Sequence, residues 1–510
     1  MSSKLAPPQR VLIVGGGEFG ATTALELARG PYKGQAHLIT VLDRCATPPA
    51  TDAASFDYNK VIRQEYSDPL YAKLARDAMV GWRGEWSQHY YESGVVVSAA
   101  RDSSEAANVD KSLAVTRQPD MRTPGKSARD LPARKDVENV YPADVKLGTF
   151  ADGRAYFNEA GGWANARGAT EDAVAKCRAA GVQFRAGTAK ELIIDERTNK
   201  VTGVTTAEAG DRHIADKVVL CMGAWTPTLV PELQEQCLPT GQAVAFIQLT
   251  PEEYERYKAA PATWVGDIGF YIFPPTPSGL LKFAIHQKGY LSPTDTLPSV
   301  PRTHLSRGYE FQRIPDDAVT KLKAGLARVY PEFSDRVWTG TRLCWYSDRP
   351  SGDFLFDYHP KYNNSLFVAA GCSGHAFSRC FQSLIGLIVV EFLPVIGNLI
   401  VKGLNGELPK EYADVFAFNH RVPSRVDDSR LFSQHVVLKS TPMREIISPP
   451  GLDLISTADI TSEYETTWSA YYPFTAIVWQ QPLSPWAIAA LPKDAIRDQD
   501  KATTTFDSLR

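Results

Sequence analysis

A chain of 510 residues, 44% hydrophobic and 22% charged, has an ordinary globular composition and material for roughly two to four domains. Its formal net charge of −3, with both signs interspersed, provides no field for drawing in nucleic acid or anionic lipid, so neither is expected as a partner. Seven scattered cysteines without a C-x-x-C pair argue against a disulfide framework and a structural zinc site, and no metal is expected.

The opening residues, MSSKLAPPQR, contain no apolar stretch of the signal-peptide kind. An intracellular location, cytoplasmic or peroxisomal, is expected, although the final SLR does not match the S-K-L address. The next segment, RVLIVGGGEFGATTALELARG, reads as strand, tight turn and helix. Gly15, Gly17 and Gly20 occupy G-x-G-x-x-G: the first permits the turn, the second lets backbone approach a pyrophosphate, and the third allows close helix packing. The helix then offers unpaired N–H groups to the phosphates. A second strand, AHLITVLDR, ends in Asp43, about twenty residues after the last glycine, where an acid binds a ribose hydroxyl. Arg44 suits either a 2′-phosphate or a solvated position.

Residues 54–66, ASFDYNKVIRQEY, carry Lys60 and Arg63, which on residue type alone are surface charges. Residues 101–130 are polar and read as a flexible excursion. CRAAGVQFRAGTAKELIID reads as a helix end, Gly181 and two strands, and DKVVLCMGAWTP as a buried strand running into Gly223. A dinucleotide fold assembled from separated segments is a flavoprotein habit more than a nicotinamide one, an analogy at the level of fold. In GLLKFAIHQKGY, alternation puts Lys282 and His286 on one strand face. Cys344, in TRLCWYSDRPSGDFLFDYHP, would by itself be a small buried hydrophobe.

Taken together and in order, these stretches resemble the D-amino-acid oxidase superfamily of FAD enzymes. Within it they resemble the branch of monomeric sarcosine oxidase, pipecolate and saccharopine oxidases, and fungal fructosyl amino acid oxidases (amadoriases). The resemblance covers about residues 9 to 423. It implies an α/β fold: an FAD-binding Rossmann-like, three-layer domain (1–94, 150–225 and 340–423) interleaved with an α+β substrate domain built on a mixed sheet (95–149 and 226–339). Residues 424–510, rich in aromatics, lie beyond it as an extension of unknown role.

The resemblance also implies roles. Gly15, Gly17, Gly20, Asp43, Arg44, Ser55, Lys60, Ala189, Cys344, Ser373, Gly374 and His375 would contact the cofactor, with FAD attached covalently through Cys344 as an 8α-S-cysteinyl link. Lys60 would face the isoalloxazine, and Arg63 would pair a substrate carboxylate, a task its planar fork suits. Lys282 would serve oxygen near flavin N5, where fixed positive charge stabilises developing superoxide, and His286 would line the substrate pocket. The reaction implied is oxidation of a secondary amine, an N-substituted amino acid, to an imine with reduction of O2 to H2O2, by a monomer. The alternatives are an oxidase or cyclase acting on an amine of a secondary-metabolite pathway, a flavin dehydrogenase that does not use O2, and a catalytically dead flavin binder.

One stretch departs from this pattern. In GCSGHAFSRCFQSLIGLIVVEFLPVIG, relatives pass from the equivalent of Phe377 through a lysine that helps bind the substrate carboxylate, directly into FLPVIG. Here the 14 residues from Ser378 to Glu391 intervene, and either Ser378 or Glu391 stands in the lysine's place. The run could be a helix extension, a membrane span or an unspliced intron read through as protein. Glu391, Pro394 and Asn398 interrupt the roughly twenty apolar residues a span needs. The intron is the reading we favour; if the insert is genuine, Arg379 is the replacement cation. Sequencing the mature message should find SGHAFK joined to FLPVIG, and recovery of codons for all 14 residues would refute the intron.

Overall fold

Side-chain alternation along the first strand, Val11–Val14, sets the layering of the nucleotide half. Val11 and Ile13 join a core with Ala21, Ala24 and Leu25 of the helix Glu18–Arg29. Leu12 and Val14 face the opposite way, into a core with Val201 and Val204. A strand buried along its whole length on both faces, as Val11–Val14 is, needs a layer on each side of its sheet, and it has them. Strands Gln183–Ala186, Ile39–Asp43, Val11–Val14, Lys217–Leu220 and Leu366–Ala370 run parallel in that order, with Leu355–Tyr358 antiparallel at the edge. Helices Glu18–Arg29, Ala166–Ala180 and Leu393–Leu404 cover one face. The three-stranded antiparallel sheet Ala189–Asp195, Lys200–Thr206 and Arg212–Ile214 lies toward the other. These statements come from a computed structural model that describes residues 4–66, 68–208, 210–307, 314–371, 389–420 and 436–438.

The second half is built on a large mixed sheet. Strand Leu238–Gln248 pairs with Leu280–Ile285 on one side and, over nine residues, with Gly340–Asp348 on the other. The sheet continues through Phe270–Ile272, Ala262–Val265, Val95–Ala99, Arg154–Asn158 and Ala128–Leu131. Two of these strands, Arg154–Asn158 and Gly340–Asp348, fall in the sequence ranges 150–225 and 340–423 assigned above to the nucleotide half, yet they hydrogen-bond within the mixed sheet. Parity again separates two faces. Leu281, Phe283, Leu343 and Trp345 pack with Leu322, Leu326 and Val329 of the helix Asp316–Val329. Ala284, Cys344, Tyr346, Tyr271 and Trp264 belong to the core shared with the nucleotide half.

Residues 101–130 are not the flexible excursion that their polarity suggested. Val109 and Leu113, four residues apart on the helix Ala106–Thr116, are buried in the shared core together with Met121. Ala128–Leu131 closes the segment as the outer strand of the mixed sheet. Composition misled here because a few apolar residues, Val109 and Leu113 on one helix face and Met121 beyond it, suffice to anchor a polar segment.

Residues 372–388, which include Ser373, Gly374, His375 and most of the insert, lie outside the described residues. The chain is described again at the short turn Val389–Phe392 and the helix Leu393–Leu404. At 12 residues that helix is too short for a bilayer, and among the described residues no helix is long and apolar enough to cross a membrane. It packs on Glu18–Arg29 so closely that a Cβ at Gly397 would lie 2.4 Å from the Thr22 carbonyl oxygen. Backbone cannot yield as a flexible side chain can. Gly397→Ala should therefore cost about 1–3 kcal/mol, read as a fall of a few degrees in Tm; an unchanged Tm would mean the helices separate freely.

Candidate active site

The nucleotide cleft begins where the first strand turns into its helix. Gly15 has φ +105°, and a Cβ there would stand 2.3 Å from the Cys221 carbonyl oxygen. At Gly20 a Cβ would come within 1.8 Å of the Gly15 carbonyl oxygen, so the helix could not leave the turn as tightly with any other residue. The Gly16 N–H donates to the Asp43 carboxylate at 2.7 Å, and Cys45 N–H to its other oxygen at 2.8 Å. The turn is thus fixed to the end of the second strand. Ser55 Oγ accepts from Glu18 N–H at 3.0 Å, joining the helix N-terminus to the following loop. Gly15, Gly17, Asp43, Arg44, Ser55, Lys60 and Ala189 all line one cleft of about 1150 Å³, counting its open mouth, that ends against Trp345 and Tyr346. Gly20 lies behind it as a packing residue. Arg44 is not a solvated charge: it pairs with Asp52 at 2.5 Å and stacks 4.0 Å over Trp225.

At the inner end of the cleft three cations share one carboxylate. Asp57 Oδ2 is 2.7 Å from Lys60 Nζ, 2.8 Å from Lys282 Nζ and 3.2 Å from the Arg342 guanidinium; Asp57 and both lysines are buried and Arg342 is partly so. Lys282 also donates to the Asn59 carbonyl at 2.6 Å, and Arg342 to the Phe56 carbonyl at 2.8 Å. Cys344 Sγ lies 3.9 Å from Lys60 Nζ. Burial is the largest influence on both lysines. For Lys282 it prevails over the attraction of Asp57 and brings the ammonium down to about 7. For Lys60 burial acts downward too, but Asp57 and the Cys344 sulfur hold the ammonium above its ordinary value. Together the three cations hold the Asp57 carboxyl well below the carboxylate range, although burial alone would raise it.

His286 follows the strand Leu280–Ile285 on the same face as Lys282. Its ring lies 6.2 Å from that of Trp264 and 5.7 Å from that of Tyr346, and Trp264 stacks on Tyr271 at 5.6 Å. Burial pushes the imidazole down to about 4, so it is neutral at physiological pH. Lys282 Nζ sits 5.1 Å over the Phe273 ring. The face is therefore an aromatic wall with a cationic corner.

Arg63, just beyond the strand Lys60–Ile62, is buried in a different setting. Its guanidinium stacks 4.5 Å over Tyr66 and donates to the Glu65 carbonyl at 2.6 Å. Its backbone N–H donates to Glu391 Oε1 at 3.0 Å, and Tyr66 O–H donates to Glu391 Oε2 at 2.5 Å. Burial raises the Glu391 carboxyl to about 8, against the pull of Arg63.

Residues 10–382 match the DAO family, FAD dependent oxidoreductase. The chain belongs to this family. It is 32% identical over 428 residues to the L-saccharopine oxidase of Schizosaccharomyces pombe, covering 80% of this chain and 92% of that one. It is 26% identical over 470 residues to the amino acid oxidase imqH of Aspergillus flavus, covering 78% and 94%. Among solved structures, fructosamine oxidase (Amadoriase II) of Aspergillus fumigatus superposes with a TM-score of 0.71 at 26% identity, over 85% of this chain and 94% of that one. The α/β fold is that of these FAD enzymes, and the cleft suits the cofactor: a glycine turn no Cβ could enter, an acid at the second strand end, and buried positive charge beyond.

Three features of the site escaped the sequence reading. Asp57 lies three residues before Lys60, within a segment chosen for its cations, and its pairing with Lys282 and Arg342 spans more than two hundred residues. Strand parity could have placed Arg342 and Tyr346 on the Cys344 face. The third is Glu18, in the first turn of the helix, whose carboxyl burial raises to about 8 although Lys60 pulls the other way. Ionised, it would repel an anionic pyrophosphate approaching that turn. In Cys344→Ala protein, FAD affinity measured by fluorescence titration should fall as pH rises through about 8, and Glu18→Gln should abolish the fall; equal profiles would mean Glu18 does not face the phosphates.

Proposed function

We propose that this protein is an FAD-dependent oxidase of a secondary amine, an N-substituted amino acid, that carries its flavin on Cys344. The family and its oxidase relatives support the reaction class. The observation that carries the placement is the Asp57 cluster, which puts Lys60, Lys282 and Arg342 around the same carboxylate with Cys344 beside it. Bound there, FAD would take a hydride equivalent from the carbon next to the amine nitrogen and give two electrons to oxygen.

The chain's own residues would then divide the work. Gly15, Gly17 and the helix N-terminus receive the pyrophosphate, Asp43 the ribose, and Ser55 and Ala189 the cleft walls. Trp264, Tyr271, Tyr346 and neutral His286 exclude water and hold the substrate's apolar part, and no strong protein base is required where the amine binds neutral. Lys60 and Lys282 supply fixed positive charge. The position of Cys344 Sγ, 3.9 Å from Lys60 Nζ, supports covalent attachment there. Ser373, Gly374 and His375 remain proposed contacts of the flavin pyrimidine.

A second reading concerns the substrate alone, and Glu391 favours it. In a chain that carries the insert, Glu65 and Glu391 stand beside Arg63 among the described residues, and a substrate carboxylate placed there would meet these acids. The substrate would then be an amine lacking that carboxylate. Acid precipitation and a peroxide-coupled screen test both readings. The pellet should stay yellow, Cys344→Ala should release the colour, and N-alkyl amino acids or their decarboxylated counterparts should yield peroxide. A folded preparation that binds no flavin would end the oxidase reading.

A further inference from the structure

We infer that Asp57 is a positioning residue for the oxygen step: it fixes the Lys282 ammonium against the flavin site and keeps it charged. This rests on the oxidase reading above and extends it to a residue of the nucleotide half that touches the lysine.

The geometry carries the inference. Lys282 sits on the mixed sheet with two polar contacts, the Asp57 carboxylate at 2.8 Å and the Asn59 carbonyl at 2.6 Å, both from one loop of the nucleotide half. Lys60 and Arg342 face it as like charges across the same Oδ2. Among the described residues near this point, burial holds the Tyr271 and Tyr346 hydroxyls protonated, and the Phe273 ring has only its quadrupole. Glu18 acts on Lys60 from the cleft side. Asp57 is thus the anion that Lys282 touches. Asp57 Oδ1 has no hydrogen-bond partner among the described residues, so the whole acceptor strength of the carboxylate is spent through Oδ2.

Without that anion, a buried ammonium beside two other cations sheds its proton. Burial already brings Lys282 down to about 7 with Asp57 in place, and the loss of Asp57 moves it further down. The consequence concerns one half of the reaction. Reduced flavin delivers two electrons, and with two protons oxygen leaves as hydrogen peroxide; the first electron creates negative charge that a fixed ammonium stabilises. A neutral Lys282 does not.

The test uses holoenzyme reduced by light and EDTA, so that no amine substrate need be known, and then mixed with oxygen across a pH series. Wild-type reoxidation should slow as pH rises through about 7, where Lys282 loses its charge. Asp57→Asn should move that fall to lower pH and slow reoxidation roughly 10- to 100-fold at pH 7.5. Asp57→Glu should restore most of the wild-type profile. Lys282→Met should be slow and flat with pH, and the Asp57→Asn/Lys282→Met double variant should match it, since a residue that acts through the lysine has nothing left to act on.

Sulfite affinity, read from bleaching of the flavin band, should weaken in Asp57→Asn at pH 7.5 and recover at lower pH. If Asp57→Asn does not fold, the comparison of Lys282→Met with the double variant still decides, because the double variant carries one buried positive charge fewer. A double variant several-fold slower than Lys282→Met, or an Asp57→Asn profile superimposable on wild type, would overturn the inference. Wild-type protein that takes up no flavin would instead overturn the oxidase reading, and with it this one.

Discussion

A single buried carboxylate, Asp57, compensates three cations, and the arrangement of the site depends on it. Removing one partner of a buried ion pair typically costs about 3–5 kcal/mol, because the other charge is left in a poorly polarisable interior. Here the partner is shared three ways, and a surplus of positive charge remains at the end of the cleft. Such a surplus is tolerated where an anion visits. A reduced flavin and nascent superoxide are both anionic, so the imbalance that weakens the empty site is what the proposed reaction draws on.

Asp57 also has a mechanical place. The loop 56–59 belongs to the nucleotide half, while Lys282 and Arg342 stand on neighbouring positions of the mixed sheet, one on each side of the strand Leu238–Gln248. Lys282 holds the Asp57 carboxylate and the Asn59 carbonyl, and Arg342 the Asp57 carboxylate and the Phe56 carbonyl. Two side chains of one half therefore clasp three residues of the other, Phe56, Asp57 and Asn59. The geometry on which oxygen chemistry would depend is the same geometry that fixes the two halves together.

What was legible in the sequence divides along physical lines. Gly15, Gly17, Gly20 and Asp43 interact within about thirty residues of one another, so their spacing carried the cleft. Lys282 and His286 were placed on one face by strand parity, which is local as well. Asp57 was not, because a carboxylate between cations in a polar loop looks the same whether it is solvated or buried, and only the tertiary fold distinguishes the two. The boundaries 150 and 340 failed to mark the sheets for a related reason. Strands Arg154–Asn158 and Gly340–Asp348 join partners distant in sequence, and nothing in their own patterns says which sheet they enter.

The two ends of the site differ in their balance of charge, and this bears on what the pocket can hold. Around Asp57, three cations face one acid. Around Arg63, one cation faces Glu65 and Glu391, with Tyr66 donating to the second acid and Asn158 to the first. A carboxylate entering beside Arg63 would have to share that cation with Glu65 among the described residues, whereas a neutral amine would make no such demand. Glu391 carries its own resolution of that conflict: with burial holding it protonated up to about pH 8, it can donate a hydrogen bond where an ionised acid could only repel. Under the proposed reaction, the substrate end would thus be set by the protonation of Glu391 and the cofactor end by the ionisation of Asp57.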